Sequence, residues 1–375
     1  MPTDMLLVNP ISREIPPAYP PHGLLSIAAV LREKGYGVRL CDRNADKTNF
    51  AQVLKRYEPR VVGVSCISGP VVKDATNVSK TVRQAMPETK IVWGGLHPTL
   101  FPDQVLREEF VDFLVLGEGE KTVCELLQNI DEPHKYKDIR GVAYKNGKTL
   151  QINQLREPIK DLDALPLEAW DLLEIEKYYQ DNFYADRVLM LHTSRGCPYR
   201  CAYCINPIMH KGSWRGRSAS RVIEEIEHLE HRYRIKGVHF FDDNFDANKK
   251  RLIEFCKMMK REKIDLAWHH SSRVNYATED RLALEKSAGC ALIEYGVESG
   301  SPRILTLIKK DQTISQVIQA FENCKDIGLK ANALFMVGLP TETVEDVSAT
   351  IKLVLSLPFY QALCSIYKPY PGSEL

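Results

Sequence analysis

"SRGCPYRCAYCINP", residues 194–207, places Cys197, Cys201 and Cys204 within eight positions, behind Gly196 and around Tyr199 and Tyr203. The chain's other cysteines, at 41, 66, 124, 256, 290, 324 and 364, stand singly. Scattered thiols of that kind read as small buried hydrophobes in a reducing compartment and not as a disulfide framework. The three clustered thiols therefore need a local chemical cause. A CxxxCxxC loop can wrap one inorganic centre, and three thiolates on a four-iron cluster leave one iron without a protein ligand, open for a cofactor. Structural zinc is the alternative, with His192 or His210 as the fourth ligand. Closed zinc sites usually pair two CxxC knuckles, and the sequence holds no second one.

Working outward, the loop directly follows an apolar run at 187–193. Further runs follow at 236–242, 264–271, 291–297, 330–337 and 362–368, with helical stretches between them. Six βα units in this length predict a partial (β/α)6 TIM-like barrel over 186–375, with its site at the C-terminal ends of the strands. Upstream, "MLLVNP" (5–10), "VRLCD" (38–42), "VVGVSCIS" (61–68), "IVWGG" (91–95) and "DFLVLGEGE" (112–120) read as buried parallel strands separated by amphipathic helices. They predict a doubly wound, Rossmann-like α/β domain over 1–130. Between the two, 131–185 reads as a linker: "IRGVAYKNGKTLQI" carries an Asn-Gly hairpin signal and "DLDALPLEAWDLL" is a proline-punctuated connector.

Composition narrows the function. Fifty Lys and Arg against 49 Asp and Glu leave no basic footprint, so no nucleic-acid partner is expected. The apolar runs fall short of a transmembrane segment and the N-terminus lacks a signal-peptide pattern, so a soluble cytoplasmic protein is expected.

Cys197-Pro198-Tyr199-Arg200-Cys201-Ala202-Tyr203-Cys204 resembles the CxxxCxΦC signature of the radical S-adenosylmethionine (SAM) superfamily, with Tyr203 in the aromatic slot. "FFDDNF" (240–245), "GVESGS" (296–301), "MVGLPTET" (336–343) and "PYPGSEL" (369–375) follow in the order of one branch of that superfamily. The resemblance covers essentially the whole chain. It implies that Cys197, Cys201 and Cys204 hold a [4Fe-4S] cluster whose fourth iron is chelated by SAM. It also implies that reductive cleavage yields a 5'-deoxyadenosyl radical acting on a small-molecule or lipid-like substrate. An external electron donor such as flavodoxin or ferredoxin is implied as well.

The same resemblance assigns SAM contacts. Asp242 and Asp243 accept from its ammonium, and Arg273 meets its carboxylate with a planar donor fork. Glu298, beside Ser299, accepts from the ribose, and Gly338, Leu339 and Pro340 bring backbone close to the adenine. The plainer alternatives are a strand end with Asx capping for the aspartates and an ion pair with Asp280 for Arg273.

The first domain resembles the cobalamin-binding domain of the branch that includes radical SAM methylases and anaerobic ring-forming cyclases, on "PHGLLSIAAVLREKGYGVRLCD", "SCISG", "GGLHPT" and "GEGE". By that resemblance Ser65, Gly94, Gly95, His97, Gly117, Glu118 and Gly119 line a cobalamin pocket. Tight βα turns are the plain alternative. The Asp-x-His-x-x-Gly element of other cobalamin proteins is replaced here by Asp42-Arg43-Asn44-Ala45-Asp46-Lys47, so no imidazole from that motif would reach the cobalt.

Methylthiotransferases share this domain order and use three further cysteines for a second cluster, which brings Cys41, Cys66 and Cys124 into question. Two end strands and one lies in a helix, so buried core thiols are expected. The expected activity is cobalamin-dependent methyl transfer to an unactivated carbon, one SAM remethylating cobalt and another generating the radical. Radical cyclisation or carbon-carbon bond formation, an RNA-modifying methylthiotransferase, and a non-enzymatic iron-sulfur or zinc protein are the alternatives. Because "PYPGSEL" follows the sixth barrel strand directly, a truncated or minimal form of longer relatives is expected.

Overall fold

The computed structural model describes residues 3–12 and 18–375. The chain forms two units, the first ending at Tyr179 and the second beginning at Gln180.

In the first unit β1 (Met5–Asn9), β2 (Val38–Asp42), β3 (Val61–Ser65), β4 (Lys90–Gly94), β5 (Phe113–Val115), β6 (Val142–Asn146) and β7 (Thr149–Ile152) form one sheet in the order β2-β1-β3-β4-β5-β6-β7. The first five strands are parallel, and β6 and β7 are antiparallel additions. Successive side chains on a strand point to opposite faces. Leu6, Val8, Val62, Val64, Ile91 and Trp93 meet Val53, Leu54, Val71, Ala75 and Val78 of helices Phe50–Tyr57 and Pro70–Ala85. Met5, Leu7, Val61, Val92 and Phe113 meet Leu24, Ala28, Leu31, Val123 and Leu126 of helices His22–Glu33 and Gly119–Gln128. Two covered faces are why these strands read as continuous apolar runs. The order reverses between β1 and β3, the switch point of a doubly wound sheet.

Cys41 and Cys66 lie in the first of these cores, where burial pushes both thiols up to about 12, whereas Cys124 packs beside the second. Three thiols on opposite faces of one sheet do not form a ligand set.

Of the segment 131–185 read as a linker, residues 131–179 are folded into this unit and the rest belong to the second. Its hairpin pairs β6 onto β5, and Trp170 and Tyr178 are fully buried. Tyr178 donates to Asp42 Oδ2 at 2.8 Å, and His22 Nδ1 faces Glu168 Oε2 at 2.8 Å. The turn sits one residue later than an Asn-Gly centre. Asn146 pairs with Thr149, so Gly147 (φ +61°) and Lys148 are the central pair, the glycine-first arrangement of a type II′ turn.

In the second unit the strands are β8 (Gln180–Asn182), β9 (Ala185–Leu191), β10 (Ser194–Arg195), β11 (Arg215–Gly216), β12 (Gly237–Phe240), β13 (Ala267–Ser272), β14 (Cys290–Glu298), β15 (Lys330–Val337) and β16 (Gln361–Ile366). The main sheet runs β16-β15-β14-β13-β12-β9-β8, with β9 to β16 parallel and β8 antiparallel. The parallel strands lie side by side in chain order, and β16 and β8 remain as edges. The result is an open, partial (β/α)6 barrel.

One face of this sheet packs on helices. Phe240 and Trp268 meet Phe255 of helix Lys249–Arg261 at ring-centroid distances of 5.4 Å each. By alternation, His239 and His269 occupy the opposite, concave face. Among the described residues no helix is long and apolar enough to cross a membrane.

Candidate active site

The cysteine loop leaves the C-terminal end of β9 and is crimped at its base by the antiparallel β10–β11 pair. Gly196 enters it at φ +84°. A Cβ there would lie 2.4 Å from Ser213 O and 2.9 Å from His210 Cβ, so only glycine closes this turn. Cys204 N donates to Cys201 O at 3.0 Å, and Ala202 N donates to Ile308 O at 2.9 Å, docking the loop on the next layer.

Each sulfur receives an N–H donor. Asn244 Nδ2 lies 3.7 Å from Cys197 Sγ, Arg273 Nη1 lies 3.5 Å from Cys201 Sγ, and Asn206 N lies 3.4 Å from Cys204 Sγ. Burial pushes the Cys197 and Cys204 thiols up, while the N–H groups of Tyr199 and Asn244, and of Asn206, pull each back. A bound cation is what deprotonates such thiols outright. Three converging thiols, each with its own donor, fit an iron-sulfur cluster, whose potential is set in part by hydrogen bonds to sulfur.

Glu298 stands next to this loop. It ends β14 at φ +67°, after a bulge between Gly296 and Glu298. Its Oε1 accepts from Tyr203 Oη at 2.9 Å and from Lys310 Nζ at 2.7 Å. A Cβ on Gly296 would fall 2.4 Å from Glu298 Oε1 and 2.6 Å from Lys310 Nζ, so that glycine makes room for the ion pair. Burial, and then the Glu298 charge, hold the Tyr203 phenol well above its usual range. Tyr203 and Leu339 also pack against one small apolar cluster with Ile304 and Ile308.

Other expected SAM contacts are engaged within the chain. Asp242 accepts from Thr193 N at 2.9 Å and from the Thr193 and Ser194 hydroxyls, which uses both its oxygens. Asp243 is exposed and accepts from Gly196 N at 3.1 Å, so the two aspartates face different surroundings. The Arg273 fork is directed at Cys201 Sγ and Lys310 O, and its Cζ sits 3.7 Å from the Tyr199 ring centroid. Among the described residues Arg273 Nε has no partner, and Asp280 is not its counter-ion. Ser299 is fully buried against Thr350 Oγ1 at 3.2 Å. The amides of Gly338 and Leu339 donate to Glu342, and Pro340 is exposed.

The structure thus gathers Tyr203, Arg273, Glu298, Leu339 and Asp243 around the cysteine loop. It adds Lys310, Asn244 and Tyr199, which the sequence reading did not single out. Asn244 lay inside the quoted "FFDDNF" and Tyr199 inside the cysteine motif. Lys310 carried no local signal.

In the first unit, Ser65 ends β3, Gly94 ends β4, and Gly117 follows β5, so three adjacent strand ends share one edge. A Cβ on Gly117 would meet nothing within 4 Å, and one on Gly94 only ordinary contacts. Among the described residues His97 Nδ1 is buried without a partner, and burial lowers its pKa, leaving a neutral imidazole. Those features fit a bulky ligand approaching backbone. Three other positions serve the fold. A Cβ on Gly95 would press on Cys66 O at 2.8 Å, Gly119 packs under Ile27, and Glu118 Oε2 accepts from Ile159 N at 2.8 Å.

The Radical SAM superfamily family model matches residues 191–354 and the B12 binding domain model residues 9–127. The chain is 37% identical to the uncharacterized methyltransferase PH0819 of Pyrococcus horikoshii, over 99% of this chain and 82% of that one. The chain belongs to the radical SAM superfamily. It is an enzyme of the branch that carries a B12-binding domain ahead of the radical SAM domain, in the order read from the sequence. Within this superfamily it is also 29% identical to the anaerobic magnesium-protoporphyrin IX monomethyl ester cyclase of Rubrivivax gelatinosus, over 96% of this chain and 66% of the cyclase. The radical SAM methyltransferase TsrM of Kitasatospora setae, solved with cobalamin and a [4Fe-4S] cluster, shares the fold, with a TM-score of 0.82 at 19% identity over 100% of this chain and 74% of TsrM.

Proposed function

We propose that this radical SAM enzyme transfers a methyl group through cobalamin to an unactivated carbon of a small-molecule or lipid-like substrate. The observation that carries the reading is a cysteine loop with an N–H donor on every sulfur, in one chain with a B12-binding domain. When bound, the cluster and SAM supply a carbon radical under one-electron reduction, and cobalamin supplies a methyl carrier.

The chain's own groups hold and orient. Cys197, Cys201 and Cys204 are the cluster ligands, and Asn244, Arg273 and the Asn206 amide fix the sulfurs. Glu298, with Oε1 held by Tyr203 and Lys310, would offer its other oxygen to the ribose, and the exposed Asp243 would accept from the SAM ammonium. Backbone at Gly338 to Pro340 borders the adenine. Asp242 and Ser299 act by supporting the loop and the β14 end. In the first unit Ser65, Gly94, His97 and Gly117 border the corrin, with Gly95, Glu118 and Gly119 shaping the turns. An external flavodoxin- or ferredoxin-type donor in a reducing cytoplasm supplies the electron. The similarity to a methyltransferase over 82% of its length favours methyl transfer over the ring closure named for the cyclase relative.

The test is anaerobic reconstitution with iron, sulfide, hydroxocobalamin and SAM. Corrin absorbance that survives desalting, together with 5'-deoxyadenosine formed under reduction, is the expected result. Loss of all corrin removes the methyl-transfer version, and zinc in place of iron removes the radical chemistry.

A further inference from the structure

On the concave face of the barrel sheet, away from the cysteine loop's own contacts, three adjacent strands bring together ligand-type side chains. His239 of β12 pairs in register with His269 of β13, and Glu294 of β14 pairs with Ser271 of β13. The two imidazoles stack with centroids 3.7 Å apart and planes 25° apart. One ligand atom from each of His239, His269 and Glu294 lies within 4.8 Å of the others. The histidines are 8% and 3% exposed, and among the described residues His239 Nε2 has no hydrogen-bond partner. A buried nitrogen without a partner is costly unless a bound group satisfies it.

Hydrogen bonds fix two of the three side chains. His269 Nδ1 is bonded to Tyr184 Oη, which leaves its Nε2 for another partner. Glu294 Oε1 accepts from Asn332 Nδ2 at 3.2 Å, and Oε2 accepts from Ser271 Oγ at 3.3 Å. Metal-binding histidines are held as His269 is, one nitrogen anchored and the other presented, and ligating carboxylates are hydrogen-bonded as Glu294 is.

We propose that His239, His269 and Glu294 bind a divalent first-row metal ion, of zinc type, with an open coordination position on the concave face of the barrel. Two imidazoles and one carboxylate are an open-site donor set, and a shared ion at about 2 Å requires the stacked rings to swing apart so that their lone pairs converge on it. The open position takes an oxygen or nitrogen of the substrate and so orients the molecule on which the radical acts. Metal binding itself does not depend on the cobalamin reading.

The test uses the full chain after its iron cluster is rebuilt anaerobically, so that the cysteine loop is filled. Zinc is added, excess is removed by dialysis, and metals are counted by mass spectrometry, with the zinc X-ray absorption edge reporting the ligands. Stoichiometric zinc with a nitrogen and oxygen shell is expected, lost in His239→Ala and Glu294→Gln at unchanged iron. Tyr184→Phe, which leaves the ligands in place, weakens zinc binding by roughly 10- to 100-fold. No retained zinc, a sulfur-containing shell, or retention indifferent to His239→Ala with a normal circular dichroism spectrum overturns the proposal. Iron content and 5'-deoxyadenosine yield, measured on the same samples, report separately on the radical SAM reading.

Discussion

Replacing Lys310 by Met isolates the ion pair that holds Glu298 in place. The side chains of Lys310 and Glu298 are 7% and 11% exposed, and Lys310 Nζ lies 2.7 Å from Glu298 Oε1. Removing the cation while keeping the volume leaves the carboxylate with Tyr203 as its remaining donor to that oxygen. Breaking a buried pair by deleting one partner destabilises by about 3–5 kcal/mol, because the other charge stays desolvated. For a unit of this size that is a fall in melting temperature of roughly 6–20 °C. Glu298→Gln added to Lys310→Met removes the stranded charge and recovers most of the loss, since buried pairs replaced by neutral groups are often close to neutral. The assay is thermal and urea unfolding of the single variants and the double variant, followed by tryptophan fluorescence. A Lys310→Met protein within about 1 kcal/mol of the parent, a range ordinary for exposed pairs, refutes the reasoning, as does a double variant no better than the single.

Gly196→Ala forces a Cβ to within 2.4 Å of Ser213 O at positive φ, so the cysteine loop should fail to close, read as loss of iron per chain after reconstitution with the first unit still folded. Asn244→Ala removes the donor to Cys197 Sγ, and a redox titration by electron paramagnetic resonance should show a lower cluster potential at unchanged iron content. For His270, burial alone lowers the pKa, but the bond and charge of Glu285 outweigh it and leave the value raised. Its folded form holds the proton more tightly than the unfolded chain. The stabilisation is therefore complete below the ordinary histidine value of about 6.5 and fades as pH rises through the raised one. Urea midpoints between about pH 6 and 9 should carry that fall, and His270→Gln should flatten it; an unchanged slope in the variant removes the assignment.

Strand positions were legible because parallel strands covered on both faces leave unbroken apolar runs, from "MLLVNP" to "ANALFMV". The cysteine loop was legible because its chemistry is local, three thiols on one turn. What the sequence hid depends on register between segments far apart in the chain. Lys310 reaches Glu298 only after the bulge at Gly296 turns the carboxylate, and His239 meets His269 only because β12 and β13 align them. Asp242 and Asp243 are neighbours in sequence, yet the strand end turns one inward to Thr193 and leaves the other exposed. The hairpin was visible from Asn-Gly, but not its attachment to β5, which makes 131–179 part of the first unit's fold.

Alternation along β13 decides which of two consecutive imidazoles does what. His269 lies on the concave side, where burial lowers its pKa, while His270 lies against the helices, where the bond and charge of Glu285 raise it. Identical residues one peptide apart are thereby shifted in opposite directions, because the pleat gives them different neighbours. A single-residue slip of β13 would exchange them, moving each ring onto the other's face and taking His270 away from Glu285. Insertions or deletions in "AWHHSS" should therefore harm this protein far more than substitutions there, even ones that preserve its hydrophobicity.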